Sequence, residues 1–314
     1  MSASNSRRRR EAAERASYTG EENPLAARAV GRGPAFGLDA CEEGQRRLRA
    51  LFALYVINHG RTAAGPGSAS VVLSYTPVIS PQFHELRLVT DSPHNVMGRL
   101  LGGASGLPGL RVAGMTPAAS PFHADTLELL HLPTQARMAI TRQTRRADPA
   151  TVDACEVAHA ARYFDEWTHD VALTAAEQEQ LADWPAMSTD IERLFAGLTS
   201  RLGLKDPAKK WGLGQWYWDP CEGRERLTEL GADGRRLWGA GDHWQLTWDG
   251  YPFIDDLVEA VTHPAVGIPE ARASWQAPNA RAELALGTAR LLLTHKPRYA
   301  DGPPFGRRRQ GQGA

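Results

Sequence analysis

The hydrophobic positions of this chain change period along its length, and those changes divide it into elements. Alternation at a period of two marks strands, as with Leu86, Leu88 and Thr90 in the run from Phe83 to Thr90, and Trp244, Leu246 and Trp248 in a later run. Helical spacing marks Ala40 to His59, where Leu48, Leu51, Phe52, Tyr55 and Val56 form an apolar stripe. Asp39 there has the chemistry of an N-cap, Glu42 completes a capping box and Gly60 ends the helix. Strands are expected at Val71 to Ile79 and Phe83 to Thr90, joined through Ser80-Pro81. A helix from Pro93 to Leu101 follows, and then strands near Leu110 to Ala113, Thr126 to Leu132 and Ala136 to Arg142.

Between Arg145 and Lys210 the pattern turns helical. Val152 to Trp167 is one helical segment, and Thr174 with Glu177 begins another that ends at Trp184-Pro185. Ser188 caps a third, with Ile191, Leu194, Phe195, Leu198 and Leu202 on one face. Alternation then resumes. A stretch from Gly212 to Trp218 opens the last region and a charged excursion covers Glu222 to Arg236. A helix is expected from Phe253 to Thr262, with strands near Ala271 to Trp275, Arg281 to Leu286 and Ala289 to Thr294.

Four landmarks recur in the same order in both strand-rich regions. His84 to Thr141 contains the alternating run, Asp91 with Pro93, Gly106-Leu107-Pro108 leading to Arg111, and Ala136-Arg137 leading to Thr141. His243 to Thr294 contains Asp249 with Pro252, Gly267-Ile268-Pro269 leading to Arg272, and Ala289-Arg290 leading to Thr294. The expected fold class is α+β, with two tandem related strand-helix-strand-strand-strand modules joined by a helical connector and preceded by an amphipathic helix. The expected boundaries are a basic flexible arm over residues 1–38, the first module with its helix over 39–144, the connector over 145–210, a Trp-rich second module over 211–296 and a basic flexible tail over 297–314.

Composition then narrows the function classes. With 36 basic and 36 acidic residues the chain has no net charge, so attraction to a polyanion would have to be local. Two local clusters exist: Arg7, Arg8, Arg9 and Arg10 at one end, and Arg307, Arg308 and Arg309 at the other. Each is read as a phosphate-contacting patch or as a solvated terminus. Three cysteines without a CxxC pair fit neither a disulfide scaffold nor a thiolate zinc site and suit a reducing cytoplasm. The longest apolar run, Ala50 to Ile57, is too short to span a bilayer, so no membrane partner is expected. A phosphate-binding GxxxxGK[ST] loop, a GxSxG elbow and an HExxH motif are all missing from the sequence.

Two residue sets remain as candidate chemistry. His84 and His243 open alternating runs, and Glu128 and Glu283 lie at matching places on later ones, a donor set that would suit a divalent metal such as zinc, iron, manganese or nickel. Two registers relate the copies. Aligning the prolines matches His84 with His243, whereas aligning Asp91 with Asp249 matches His243 with Glu85 and keeps the apolar alternation in phase; the second is preferred. The other set is aromatic. Seven of the nine tryptophans lie in the second module, where Trp244 and Trp248 read as core, while Trp216, Trp218 and the adjoining Asp219 are the choice for a ligand-stacking surface. Arg111 and Arg272 are read as solvent-facing strand residues, although their pairing would also suit anion contacts.

The tandem module order, with His84 and His243, resembles the vicinal oxygen chelate superfamily. That resemblance implies metal bound by a histidine opening a strand and a glutamate on each module's last strand. Here Glu128 and Glu283 lie on the penultimate strands, and the last strands carry no carboxylate. The same order also occurs in sliding clamps and in ligand-sensing domains. The leading expectation is a non-enzymatic cytoplasmic binding or accessory protein, without a cofactor, contacting nucleic acid or a protein partner through its Arg-rich ends. The alternative is a metal-dependent enzyme or a small-molecule-binding protein on a vicinal-oxygen-chelate-like fold.

Overall fold

A computed structural model describes residues 3–58, 61–62, 65–66, 72, 76–90, 92–101, 106–116, 126–142, 167–168, 170–213, 235–249, 252–278 and 280–296. The fold is α+β, with two five-stranded mixed sheets and, among the described residues, seven α-helices. After helices α1 (Ala3–Thr19), α2 (Asn23–Ala29) and α3 (Glu43–Asn58), a two-residue hairpin of β1 (Arg61–Thr62) and β2 (Gly65–Pro66) leads to the first module.

The first sheet is built from β3 (Val78–Pro81), β4 (Glu85–Thr90), β5 (Leu110–Thr116), β6 (Thr126–His131) and β7 (Ala136–Arg142), in the order β3-β4-β7-β6-β5. Helix α4 (Pro93–Leu100) makes the crossover that a parallel β4–β7 pair requires. Helices α5 (Ala175–Ala182) and α6 (Thr189–Arg201) follow. The second sheet comprises β8 (Arg236–Ala240), β9 (His243–Asp249), β10 (Arg272–Ala277), β11 (Arg281–Leu286) and β12 (Ala289–Lys296), with α7 (Ile254–Thr262) between β9 and β10. Its order, β8-β9-β12-β11-β10, and its central parallel β9–β12 pair reproduce the first. Each module therefore carries five strands, one more than the expected strand-helix-strand-strand-strand unit, and in the first module the added strand falls at the end of the expected Val71 to Ile79 run.

Strand alternation puts one face of each sheet into the core. Leu86, Leu88, Leu127, Leu129, Met138 and Ile140 are buried from the first, and Trp244, Leu246, Trp248, Leu284, Leu291 and Leu293 from the second. Both sets belong to one continuous cluster with the stripes of α3 and α6. Those stripes share a spacing: Leu48, Leu51, Phe52 and Tyr55 on α3 answer to Ile191, Leu194, Phe195 and Leu198 on α6. The two helices pack against each other and lie between the sheets in a reciprocal way. Helix α3 rests on β7 of its own module and on β8 of the other, and α6 rests on β12 of its own module and on β3 of the other. Their N-terminal ends dock alike. Gly44 approaches the Thr134 carbonyl so closely that a Cβ would clash, and Asp190 accepts a hydrogen bond from Thr288 N–H (3.0 Å); both partners lie in the turn before each module's last strand.

Several expectations are corrected by this packing. Residues 1–38 are not a flexible arm throughout: Ala3–Thr19 is a helix of nearly five turns, and Arg15 on its inner face is fully buried. Arg15 donates to both oxygens of Glu21 (2.7 Å each) and to the Pro81 and Phe36 carbonyls (2.8 and 3.0 Å), which welds the segment to β3. Asp39 does not cap α3, which begins at Glu43; its carboxylate instead takes two bonds from buried Arg201 (2.7 and 2.8 Å). Helix α6 falls within the expected connector, but it stands to the second sheet as α3 stands to the first. Among the described residues the second module's first strand is Arg236–Ala240, the expected opening stretch Gly212 to Trp218 lying mostly outside them, and the first module's is Val78–Pro81, at the end of the expected Val71 to Ile79. The capping box at Thr174 and Glu177 and the Ser188 cap form as expected.

Arg111 does not face solvent; it is fully buried. It pairs bidentately with Glu177 (2.8 Å to each oxygen), donates to the Val171 and Ala172 carbonyls (2.9 and 2.8 Å) and lies over the Trp167 ring at 5.1 Å. Burial alone would raise the Glu177 pKa. The bonds it accepts from Arg111, Thr174 N–H and Gly109 N–H, together with the Arg111 charge, outweigh this and lower it to about 2. His131, also buried, is lowered to about 4 by desolvation and stays neutral at pH 7, bonded to the Pro108 carbonyl and to Thr134.

The shared core and the buried ion pair can each be tested through stability. Phe195 is fully buried and meets the Trp244 ring edge-to-face at 5.0 Å, so Phe195→Ala is expected to cost about 3–5 kcal/mol. Urea unfolding followed by both fluorescence and far-ultraviolet circular dichroism should show one earlier, coincident transition; separate transitions would mean that the sheets do not share a core. Because the folded-state pKa of Glu177 is depressed, its contribution is complete above the unfolded value of 4.5 and is lost as pH falls toward about 2. Glu177→Gln should lose about 3–5 kcal/mol at pH 7 by leaving Arg111 buried without its counter-charge. The variant should also lack this acid-dependent component when unfolding is repeated between pH 5 and 2.

Candidate functional site

The register settles the relation between the candidate histidines. Glu85 pairs with Arg137 across β4–β7, and His243 pairs with Arg290 across β9–β12, so Glu85 is the counterpart of His243. His84 lies in the turn before β4, where its exposed ring contacts Glu42 at 2.8 Å. Glu128 and Glu283 do occupy matching places, opposite Ala139 and Leu292. Each alternates with buried leucines or alanine and so lies on the face of its sheet turned away from the shared core.

Both carboxylates therefore lie on sheet faces turned away from the shared helices. Within the second sheet His243 and Glu283 are two strands apart, roughly 10 Å at the usual strand spacing. Arg290 stands on the strand between them, with its Nε 3.8 Å from Glu283, and places a cation where a metal would be needed. Among the described residues no group of three or more His, Cys, Asp or Glu could hold a metal ion.

Trp216, Trp218 and Asp219 lie outside the described residues, as do Arg307, Arg308 and Arg309. Of the other second-module tryptophans, Trp244 and Trp248 are buried in the core as their alternation predicts, and Trp211 is buried in a cluster with Tyr18 and His263. Trp275, on the edge strand β10, is 45% exposed.

The first arginine cluster is well placed for contact. Arg7, Arg8, Arg9 and Arg10 are all exposed on α1, ahead of the buried anchor Arg15. Arg8 turns back to donate two bonds to the Ala27 carbonyl in the last turn of α2 (3.1 and 2.8 Å) and so holds the two helices together. Arg7 bonds to Glu11 at 2.8 Å, and that hydrogen bond and charge raise the Arg7 pKa. Arg9 and Arg10 make no ion pair among the described residues. Between α1 and α2 runs an open groove of about 560 Å³ lined by Asn5, Arg8, Arg9 and Asn23, with Ala12 and Ala27 at its floor. Two guanidinium groups and two side-chain amides over a small apolar floor give donors suited to the oxygens of a phosphate.

A second recess of about 330 Å³ lies where the C-terminal end of α3 meets β8. The side-chain amide of Asn58 pairs there with the edge of β8, donating to the Leu237 carbonyl and accepting from Leu237 N–H (2.8 Å each). Arg236 lies over the Trp238 ring at 4.9 Å, and Trp184 closes the opposite wall. Neither recess is anticipated by the sequence. Asn58, Trp184 and Trp238 come together only because α3 packs across the module boundary, and Asn5 and Asn23 face the groove only because Arg15 docks α1. Compared with models of known protein families, with curated proteins and with solved structures, the chain matches none.

Proposed function

We propose that the chain is a non-catalytic binding or accessory protein that contacts nucleic acid through the arginines of α1. The observation that carries this reading is the anchored Arg cluster. A flexible basic terminus would lose conformational entropy on docking, whereas here the buried Arg15–Glu21 pair and the Arg8–Ala27 bonds hold the helix before any partner arrives. Arg9 and Arg10 then present their charge without competing carboxylates in contact, and Arg9 shares its groove with two asparagine amides. The reading is one of backbone contact and not of sequence readout, since guanidinium groups on a helix surface address phosphates irrespective of base.

The proposed setting is the cytoplasm. Cys41 is a free thiol, and among the described residues no helix is long and apolar enough to cross a membrane. The groove is small, so a short stretch of backbone fits it better than a folded duplex face, and single-stranded substrates are expected to bind at least as well as duplex.

The test is salt-dependent retention. An Arg9→Ala, Arg10→Ala variant changes only exposed side chains and should unfold with the same midpoint as the parent. Its affinity for a single-stranded oligonucleotide should fall, and the slope of log affinity against log salt should lessen by about 0.7 for each phosphate that the variant no longer neutralises. Equal affinity and equal slope for the two proteins would refute nucleic-acid contact through α1.

A further inference from the structure

The two modules share a register but not a covering. In the first, the edge strand β5 is closed: Val112 N–H donates to the Trp167 carbonyl at 2.7 Å, and Val112 and Thr168 are parallel bridge partners. Arg111, next to Val112, fixes the added segment by binding the Val171 and Ala172 carbonyls and the Glu177 carboxylate, with the Trp167 ring stacked on its guanidinium. Gly109, left-handed at φ +82°, aims its N–H at the same carboxylate (2.9 Å).

Strand β10 is the counterpart of β5. Arg272 pairs with Ala285 as Arg111 pairs with Leu130, and Ala273 pairs with Leu284 as Val112 pairs with Leu129. The equivalence extends to the preceding turn. Glu270 occupies the place of Gly109 and keeps its left-handed conformation, φ +70°, although it is not glycine. Such a conformation is uncommon for a residue with a Cβ, so the turn geometry is held by its surroundings. What differs is the cover. Arg272 is exposed and has no hydrogen bond or ion pair among the described residues, and the Ala273 N–H is turned outward by the same register that turns out Val112 N–H. The Glu270 carboxylate does not fill the gap, since it lies 3.6 Å from Arg193. Trp275 stands exposed two residues beyond Ala273.

We infer that the open edge of β10, with Arg272, is a docking site for an extended segment of a partner protein that carries an aromatic residue and a carboxylate. The segment adds to the sheet at Ala273, its carbonyls and carboxylate bind the Arg272 guanidinium, and the Glu270 N–H supplies the further donor that Gly109 N–H supplies in the first module. The first module is the template for this chemistry, and charge complementarity selects the occupant: a guanidinium fork beside outward backbone donors favours an acidic strand over a basic or neutral one. The bulge at Trp275–Ala277 and the following Pro278 end regular pairing, so the site is short and an uncontrolled edge-to-edge ladder is prevented.

The chain's own cover supplies the probe. A labelled peptide with the sequence of residues 167–177 should bind the full-length protein saturably in an anisotropy titration, and hydrogen exchange should slow at the Ala273 and Trp275 amides. Arg272→Glu, an exposed substitution, should weaken binding about tenfold or more, and so should a peptide with glutamine for its terminal glutamate. The proposal is overturned by binding that Arg272→Glu leaves unchanged, by protection confined to β5, which would mean exchange with the first module's own segment, or by no saturation at millimolar peptide. A dimer in sedimentation that Arg272→Glu converts to monomer would make a second copy the occupant and would equally overturn it.

Discussion

The constraint on which the rest of this structure depends is that two amphipathic sheets, each with its own crossover helix, share one further pair of helices, α3 and α6. Each sheet has a single apolar face, and neither α3 nor α6 alone could bury both. The solution is reciprocal, in that each helix rests on the last strand of its own module and on the first strand of the other. Helix α3 is accordingly buried on nearly every side, from Leu48 through Ile57, as expected of a helix enclosed by other elements. Phe52, Tyr55, Phe195 and Trp244 are the large side chains of that shared interior. Neither module has a complete core without the helix of the other.

Arginine, more than any apolar residue, decides which distant segments attach to this frame. Arg15, Arg49, Arg111 and Arg201 are all fully buried, and each directs its donors to chain remote in sequence: Arg15 to Pro81, Arg49 to Gln82, Arg111 to Glu177, Arg201 to Asp39 and Val266. The planar guanidinium can satisfy several carbonyls and a carboxylate at once, which a lysine ammonium cannot do in the same geometry. A buried ion pair adds little net stability, but removing one partner is costly, so these pairs act as selectors of the correct docking more than as sources of affinity. The near absence of lysine from the chain becomes structurally intelligible, since the sites that matter need a fork of donors.

The modules differ where the frame leaves them free. Among the described residues, the first has its outer edge closed by its own chain, whereas the second keeps an open edge and carries tryptophan where the first has smaller residues. Trp238 and Trp244 stand in the places of Ser80 and Leu86. Candidate binding features accordingly lie at the periphery: the α1–α2 groove, the recess beside β8 and the edge of β10. They are three separate surfaces around one shared core.

Period and turn chemistry in the sequence determined the α+β class, the two related modules, the core roles of Leu86, Leu88, Trp244 and Trp248, and the caps at Thr174 and Ser188. These are local consequences of a side-chain period of two or 3.6 and of short-range hydrogen bonds, and they need no knowledge of distant partners. The register that places His243 with Glu85 was legible in part, since only that choice keeps the apolar alternation in phase. The roles of Asp39, Arg15 and Arg111 could not be read in this way. A capping aspartate and an ion-pairing aspartate look alike in sequence, and a basic helix face looks alike whether free or docked; only the position of Arg201, Glu21 or Glu177 across the fold distinguishes them. The dispersal of His84, His243, Glu128 and Glu283 was likewise decided by tertiary structure, because matching places on two sheets converge or diverge according to which faces the shared helices cover.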